Sequence, residues 1–222
     1  VQGIDELGVL PQVDAVLTGY QGAPAMGAEI LTIVKLVKER NPEAVWCCDP
    51  VMGDVGRGMY VLPGIPEFMR DHVVPAADIL TPNHYELDYL TGRETQTVAE
   101  VLEAADALRA EGPSIVLVTS VVAQGADPDT VMMVAVGEEG AWSVTTPMLE
   151  RAFTGSGDLT SSVFLASLLE GGSLADAVGR TAAVVYSVLE KTTRLDRREL
   201  ALVPAQEELV APTHTFEVTR LR

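Results

Sequence analysis

Residues 77–92 read ADILTPNHYELDYLTG. The segment opens as an apolar β-type run, ADILT, that Pro82 stops. It continues as a short helical stretch, ELDYLT, that Gly92 ends. Asn83 lies at the junction, and Glu86 follows three positions later, one helical turn on, so both side chains can face one point. Ordinary helix capping also explains this pair, since Asn before a helix and Glu in its first turn are common. A strand, a polar end and a helix form one unit, and that unit recurs along the chain.

Upstream, DAVLTG (14–19) is a strand ending in glycine, and AEILTIVKLVKER (28–40) follows it. There Ile30, Ile33, Val34 and Val37 keep the spacing of one helix face. AVWCCDP (44–50) is an apolar strand halted by Asp49-Pro50, and PEFMRDHVV (66–74) reads as helix. Downstream, Thr97 and Glu100 form a capping box that starts a helix running to about Arg109. SIVLVTS (114–120) is a fully apolar strand, and 130–147 reads as a hairpin with a glycine-containing turn. Ser173 and Asp176 cap a further helix to about Lys191, and another is expected over 199–210. No repeat, low-complexity tract or linker divides the 222 residues, so one α/β domain is expected over 1–222.

Strands alternating with helices predict a mostly parallel sheet covered on both faces, with one antiparallel hairpin towards an edge. Ligands of such sheets bind beyond the C-terminal strand ends. The polar residues gather there: Thr18-Gly19-Tyr20, Asp49-Pro50, Thr81-Pro82-Asn83 and Thr119-Ser120.

Composition narrows the function classes. The chain has 15 basic and 32 acidic residues, a net charge of −17, and is 47% hydrophobic. Such a charge repels nucleic acid and anionic membranes, so neither is an expected partner. No apolar run is long enough to predict a membrane span, and no basic segment leads into an apolar block. Cys47 and Cys48 are adjacent inside an apolar strand and read as buried reduced thiols, which points to the cytoplasm. Three scattered histidines assemble no zinc constellation. The chain starts at Val1 without methionine, and a preceding N-terminal segment is therefore expected.

AFTGSGDLTSSVFLASLL (152–169) carries the sharpest chemical signal. Gly155, Ser156 and Gly157 let main-chain N–H groups crowd together before a helix N-terminus, an arrangement suited to an anion. Asp158 follows directly. A dinucleotide fingerprint fails because Thr160 holds the place of the third glycine, and no G-x-x-x-x-G-K-[ST] occurs. Asp49 and Asp54 bracket a glycine-containing loop, DPVMGDVGRG (49–58), whose plain reading is a solvated turn.

No single motif decides the function, but their series does. TGY (18–20), DPVMGD (49–54), TPN-x-x-E (81–86), VTS (118–120) and GSGD (155–158), in this order, resemble the ribokinase-like superfamily. Within it the chain is most similar to the bacterial type of the pyridoxal kinase family, from Val1 through the terminal THTFEVTRLR. The resemblance implies a three-layer α/β/α fold with a mostly parallel central sheet. It also implies that the family's N-terminal segment, two βα units or about 60 residues, is missing before Val1, along with strands and ring contacts.

The implied reaction is ATP-dependent phosphorylation of the 5′-hydroxymethyl group of pyridoxal, or of pyridoxine and pyridoxamine, in vitamin B6 salvage. Asp158 is then the general base and touches the vitamer, while Gly155, Ser156 and Gly157 hold the transferring phosphate. Asp49, Asp54 and Glu86 are the Mg²⁺ residues; Asp49, Glu86 and Asn83 also border ATP, as do Thr119 and the stretch Thr146, Pro147, Met148 and Leu149. Tyr20 matches a position beside the pyridoxal ring. The resemblance further implies a homodimer and leaves room for a monovalent cation, and the 50–60 loop is a candidate flap. Two other readings compete. One is a hydroxymethylpyrimidine (phosphate) kinase of the same superfamily, whose glycine motif usually ends in cysteine where Asp158 stands. The other is a non-catalytic protein that binds B6 vitamers.

Overall fold

The computed structural model describes residues 1–149, 151 and 153–222. A seven-stranded sheet runs in the order β1 (Ala15–Thr18), β2 (Val45–Cys48), β5 (Ile79–Leu80), β6 (Ile115–Val121), β7 (Thr130–Gly137), β8 (Gly140–Pro147) and β9 (Val218–Arg220). The first four are mutually parallel, and β6 to β9 pair antiparallel. The antiparallel portion is thus wider than the expected hairpin. β9 was not anticipated from sequence, since three residues carry no readable alternation.

Period-two patterning sends each strand into two cores. Trp46, Cys48, Leu80, Val116, Val118, Val134 and Val136 enter one, together with Val34 of α2 (Pro24–Arg40), Leu87 of α4 (His84–Thr91) and Leu108 of α5 (Val98–Glu111). Cys47, Ile79, Leu117, Ala135 and Val144 enter the other, with Phe164 and Leu165 of α6 (Ser156–Leu169) and Ala177, Val178 and Ala182 of α7 (Leu174–Arg194). The result is the three-layer α/β/α arrangement. Both cysteines are fully buried free thiols.

Local rules place most boundaries. Pro24 opens α2 nearly two turns before the apolar stripe begins, as suits a residue with a fixed φ and no N–H to lose. The T-x-x-E box opens α5, and Ser173 with Asp176 opens α7. The helix expected over 199–210 is corrected: only α8 (Gln206–Val210) is helical. Pro204 lies inside that window, where a proline disfavours helix at the residue before it and supplies no N–H. The glycine-containing loop also folds more than expected, into a small hairpin of β3 (Gly53–Asp54) and β4 (Gly58–Met59). Among the described residues no helix is long and apolar enough to cross a membrane.

Candidate active site

The parallel strands end side by side and their ends are laced together. Asp49 N–H donates to Thr18 O at 2.8 Å, Thr81 N–H to Cys48 O at 3.0 Å, and Thr119 N–H to Pro82 O at 2.9 Å. Asp49, Thr81, Asn83 and Thr119 therefore line one rim of the sheet. Asn83 caps α4: its Oδ1 accepts from Glu86 N–H at 2.9 Å, and its Nδ2 donates to Gly53 O at 2.8 Å. Glu86 completes the box, with Oε2 accepting from Asn83 N–H at 2.8 Å. Its Oε1 accepts from Met52 N–H at 2.8 Å and Gly53 N–H at 3.4 Å. The carboxylate thus pins the start of the β3–β4 hairpin to the helix.

The N-terminus of α6 stands over the ends of β1 and β2. Gly155 holds the helix entry at φ +88°, a conformation in which a side chain is strained. A Cβ on Gly157 would lie 3.1 Å from Asp49 Oδ2, and one on Gly19 would lie 3.2 Å from Asp158 Oδ1. The two glycines thereby let both carboxylates approach the backbone of the opposing segment. Asp158 makes no capping bond and is exposed. The first amides of α6 have no partner within the helix, whose own ladder begins with Leu159 N–H to Gly155 O. Thr160, Ser161 and Ser162 turn their hydroxyls back to carbonyls three or four residues earlier, which satisfies the buried hydroxyls of Thr160 and Ser161.

The charge state is unusual. Burial, then Glu86 and Asp158, push the Asp49 carboxyl well above the usual carboxylate range. Burial raises Glu86 to about 7 against its three backbone hydrogen bonds, and Asp54 adds to the rise. Tyr60, about half exposed just past β4, is lifted to about 12 by partial desolvation and by Glu86, Asp54 and Asp49. None of the ion pairs among the described residues involves Asp49 or Glu86. Such desolvated carboxylates are suited to a cation or a proton.

Several expected residues sit elsewhere on the rim. Asp54 is half-buried in β3, its Oδ1 accepting from Val55 N–H at 2.8 Å. Among the described residues no three His, Cys, Asp or Glu side chains close on one metal position, so Asp49, Asp54 and Glu86 do not form a closed cage. Tyr20 is exposed next to Gly19. Thr119 is half-buried where β6 breaks register, next to Ser120 at φ +52°. Thr146 is buried in β8 and Pro147 ends that strand opposite Thr130. Met148, its N–H donating to Asp129 O at 2.7 Å, and half-buried Leu149 come next.

Met148 lines a cavity of about 390 Å³ with Val121, Val122, Ala123, Ala126 and Met132. Apart from Met148, no cavity-lining residue was foreseen. Small apolar residues in a loop carry no chemical signature. Tyr60 was likewise not foreseen as a site residue, because a tyrosine after a loop is commonplace, and Thr81 was read only as part of the polar TPN stretch at a strand end.

The model of one family, described as phosphomethylpyrimidine kinase, matches residues 12–202. A pyridoxal kinase PdxY of Rubrobacter xylanophilus is 50% identical over 222 residues, covering all of this chain and 77% of that protein. This chain belongs to the pyridoxal kinase family. A second pyridoxal kinase PdxY, from Leifsonia xyli, is 44% identical and is covered over 78% of its length by the whole chain. The pyridoxal kinase from Leishmania donovani in complex with ADP and pyridoxamine superposes with a TM-score of 0.89 at 26% identity, over 100% of this chain and 79% of that one.

Proposed function

We propose that this pyridoxal kinase family chain phosphorylates the 5′-hydroxymethyl group of pyridoxal with ATP, and that Asp158 is its general base. The observation that carries the reading is Asp158 exposed at the N-terminus of α6, against Gly19 and next to buried Asp49. In the step, the Asp158 carboxylate takes the hydroxyl proton. The freed oxygen bonds to the γ-phosphorus, the bond from that phosphorus to the β–γ bridging oxygen breaks, and ADP leaves. The amides of Ser156 and Gly157, which have no partner within the helix, and the positive helix end stabilise the equatorial oxygens.

Asp49 and Glu86, with Asp54 and Asn83 nearby, would hold Mg²⁺, a hard cation that suits such oxygen donors. Magnesium supplies neutralisation of charge on the phosphates. Thr81 Oγ1 is buried without a hydrogen-bond partner among the described residues, and it fits a monovalent cation at the same strand ends. The apolar cavity beside Met148 suits the adenine base, with Thr119 and Thr146–Leu149 on its approach. Tyr20 offers its exposed ring to the vitamer, and Tyr20→Ala should raise the pyridoxal KM several-fold while the ATP KM stays within about twofold. A cytoplasmic homodimer belongs to the same family reading.

The match to the phosphomethylpyrimidine kinase family keeps a hydroxymethylpyrimidine kinase as the second reading. Measuring kcat/KM with pyridoxal and with hydroxymethylpyrimidine separates them. Higher kcat/KM for pyridoxal, with formation of its 5′-phosphate, supports the first. A preference for the pyrimidine alcohol overturns it. ADP release with neither alcohol leaves a vitamer-binding protein.

A further inference from the structure

We infer that His84, which lies outside the set of expected site residues, is a positioning residue that holds the wall of the apolar cavity in place. His84 is the first residue of α4 and is buried. Its Nδ1 accepts from Val122 N–H at 3.2 Å, across 38 positions of sequence. Its Nε2 lies 2.7 Å from Thr95 Oγ1 and 3.1 Å from Thr95 O. Thr95 Oγ1 spends its only proton on Asp88 Oδ1 at 2.7 Å, and Thr95 N–H donates to the same oxygen at 3.1 Å.

These bonds run in one direction. Asp88 accepts from the Thr95 hydroxyl, which accepts from His84 Nε2–H, and this leaves the Nδ1 lone pair for Val122. The Thr95 carbonyl, which can only accept, and the carboxylate at the far end both set this tautomer. Val122 is the first residue past β6, whose register shifts between Val118 and Val121, with Ser120 at positive φ, before Val121 pairs with Met132. The next backbone anchor along the chain is Gln124 N–H to Gln96 O at 2.6 Å. Val121, Val122 and Ala123 form one side of the 390 Å³ cavity. α4 therefore carries two functions. Asn83 and Glu86 face the carboxylate rim, while His84 fixes the cavity wall relative to that rim. A base and its phosphates would be held at a set distance by a single helix end.

The inference rests on the cavity being the base site, and the test separates the two. ADP Kd is measured by calorimetry, with steady-state ATP and pyridoxal constants, on His84→Ala, His84→Gln and Ala126→Trp. Ala126 is an exposed lining residue outside the relay, so its tryptophan fills the cavity and leaves His84 alone. His84→Ala should raise ADP Kd and ATP KM together by about fivefold or more, with kcat and pyridoxal KM within about twofold. His84→Gln should restore most of the loss, because its amide offers an acceptor and a donor. Unchanged nucleotide constants in His84→Ala, while Ala126→Trp weakens them, overturn the role of His84. If neither variant affects them, the cavity is not the base site, and the inference falls with that reading. Should His84→Ala fail to fold, near-isosteric Thr95→Val removes the hydroxyl that links Nε2 to Asp88 and leaves Nε2 only the 3.1 Å contact to the carbonyl of residue 95. It should raise ATP KM by about twofold or more, and an unchanged value overturns the inference.

Discussion

Two helices of this protein begin with the same device in opposite surroundings. At α4, Asn83 and Glu86 bond each other's backbones; at α5, Thr97 and Glu100 do so. Each glutamate accepts three hydrogen bonds. Glu86 takes them from the N–H groups of Asn83, Met52 and Gly53. Glu100 takes them from the N–H groups of Gln96 and Thr97 and from the Thr97 hydroxyl. Yet Glu100 is held below the ordinary carboxylate value by those bonds, while Glu86 is raised to about 7 by burial. Hydrogen bonding favours the charged form in both, and desolvation reverses the sign in one. A capping box is a stability device in water and a charge store when buried beside other acids.

A third first-turn acid extends the contrast, because Asp158 opens α6 without capping anything. Asp158→Asn should lower kcat by about 10²–10⁴, the usual cost of losing a general base. ADP Kd should hold steady or tighten slightly. Near-normal turnover would reduce Asp158 to a helix-end charge and sink its catalytic role. Glu86→Gln keeps most of the capping geometry but removes the stored charge. Turnover should fall about tenfold or more, with part of the loss restored by raised Mg²⁺. Wild-type Mg²⁺ dependence in that variant would show that burial, and not metal, is the whole story of Glu86.

The pH response of stability should differ in sign. For Glu86 the folded value exceeds the ordinary 4.5, so its contribution is full below 4.5 and is lost as pH rises through about 7. For Glu100 the folded value is depressed, so its contribution is present above 4.5 and is lost as pH falls below it. Thermal midpoints of the metal-free protein check this. Glu86→Gln should gain on wild type between about pH 5 and pH 8, whereas the deficit of Glu100→Gln should shrink on acidification. Parallel slopes for the two variants would erase the distinction. The smallest effect is on turnover by Glu100→Gln, which should stay within about twofold of wild type.

Much of the architecture was legible in the chain because its causes are local. Alternating apolar runs, Pro stops and three capping boxes depend on neighbours within four residues, and they placed β1, β2, β6, the β7–β8 hairpin, α4, α5 and α7. The reading failed where the cause was not local. β9 exists because β8 offers it an edge, and α8 is short because Pro204 breaks a window that composition alone favours. Resemblance named Asp49, Glu86 and Asp158, and their residue types suited the chemistry.

What sequence determined is which residues can act: an acid after Gly155-Ser156-Gly157, and an Asn and a Glu one helical turn apart. What tertiary structure decided is which of them is buried beside which. The approach of Gly157 to Asp49 and of Gly19 to Asp158 is measured in ångströms, yet it joins segments more than a hundred residues apart. The bond from Val122 to His84 is equally invisible in sequence. Charge state and cavity shape depend on distance and dielectric, and both are properties of the packed whole rather than of the order of residues.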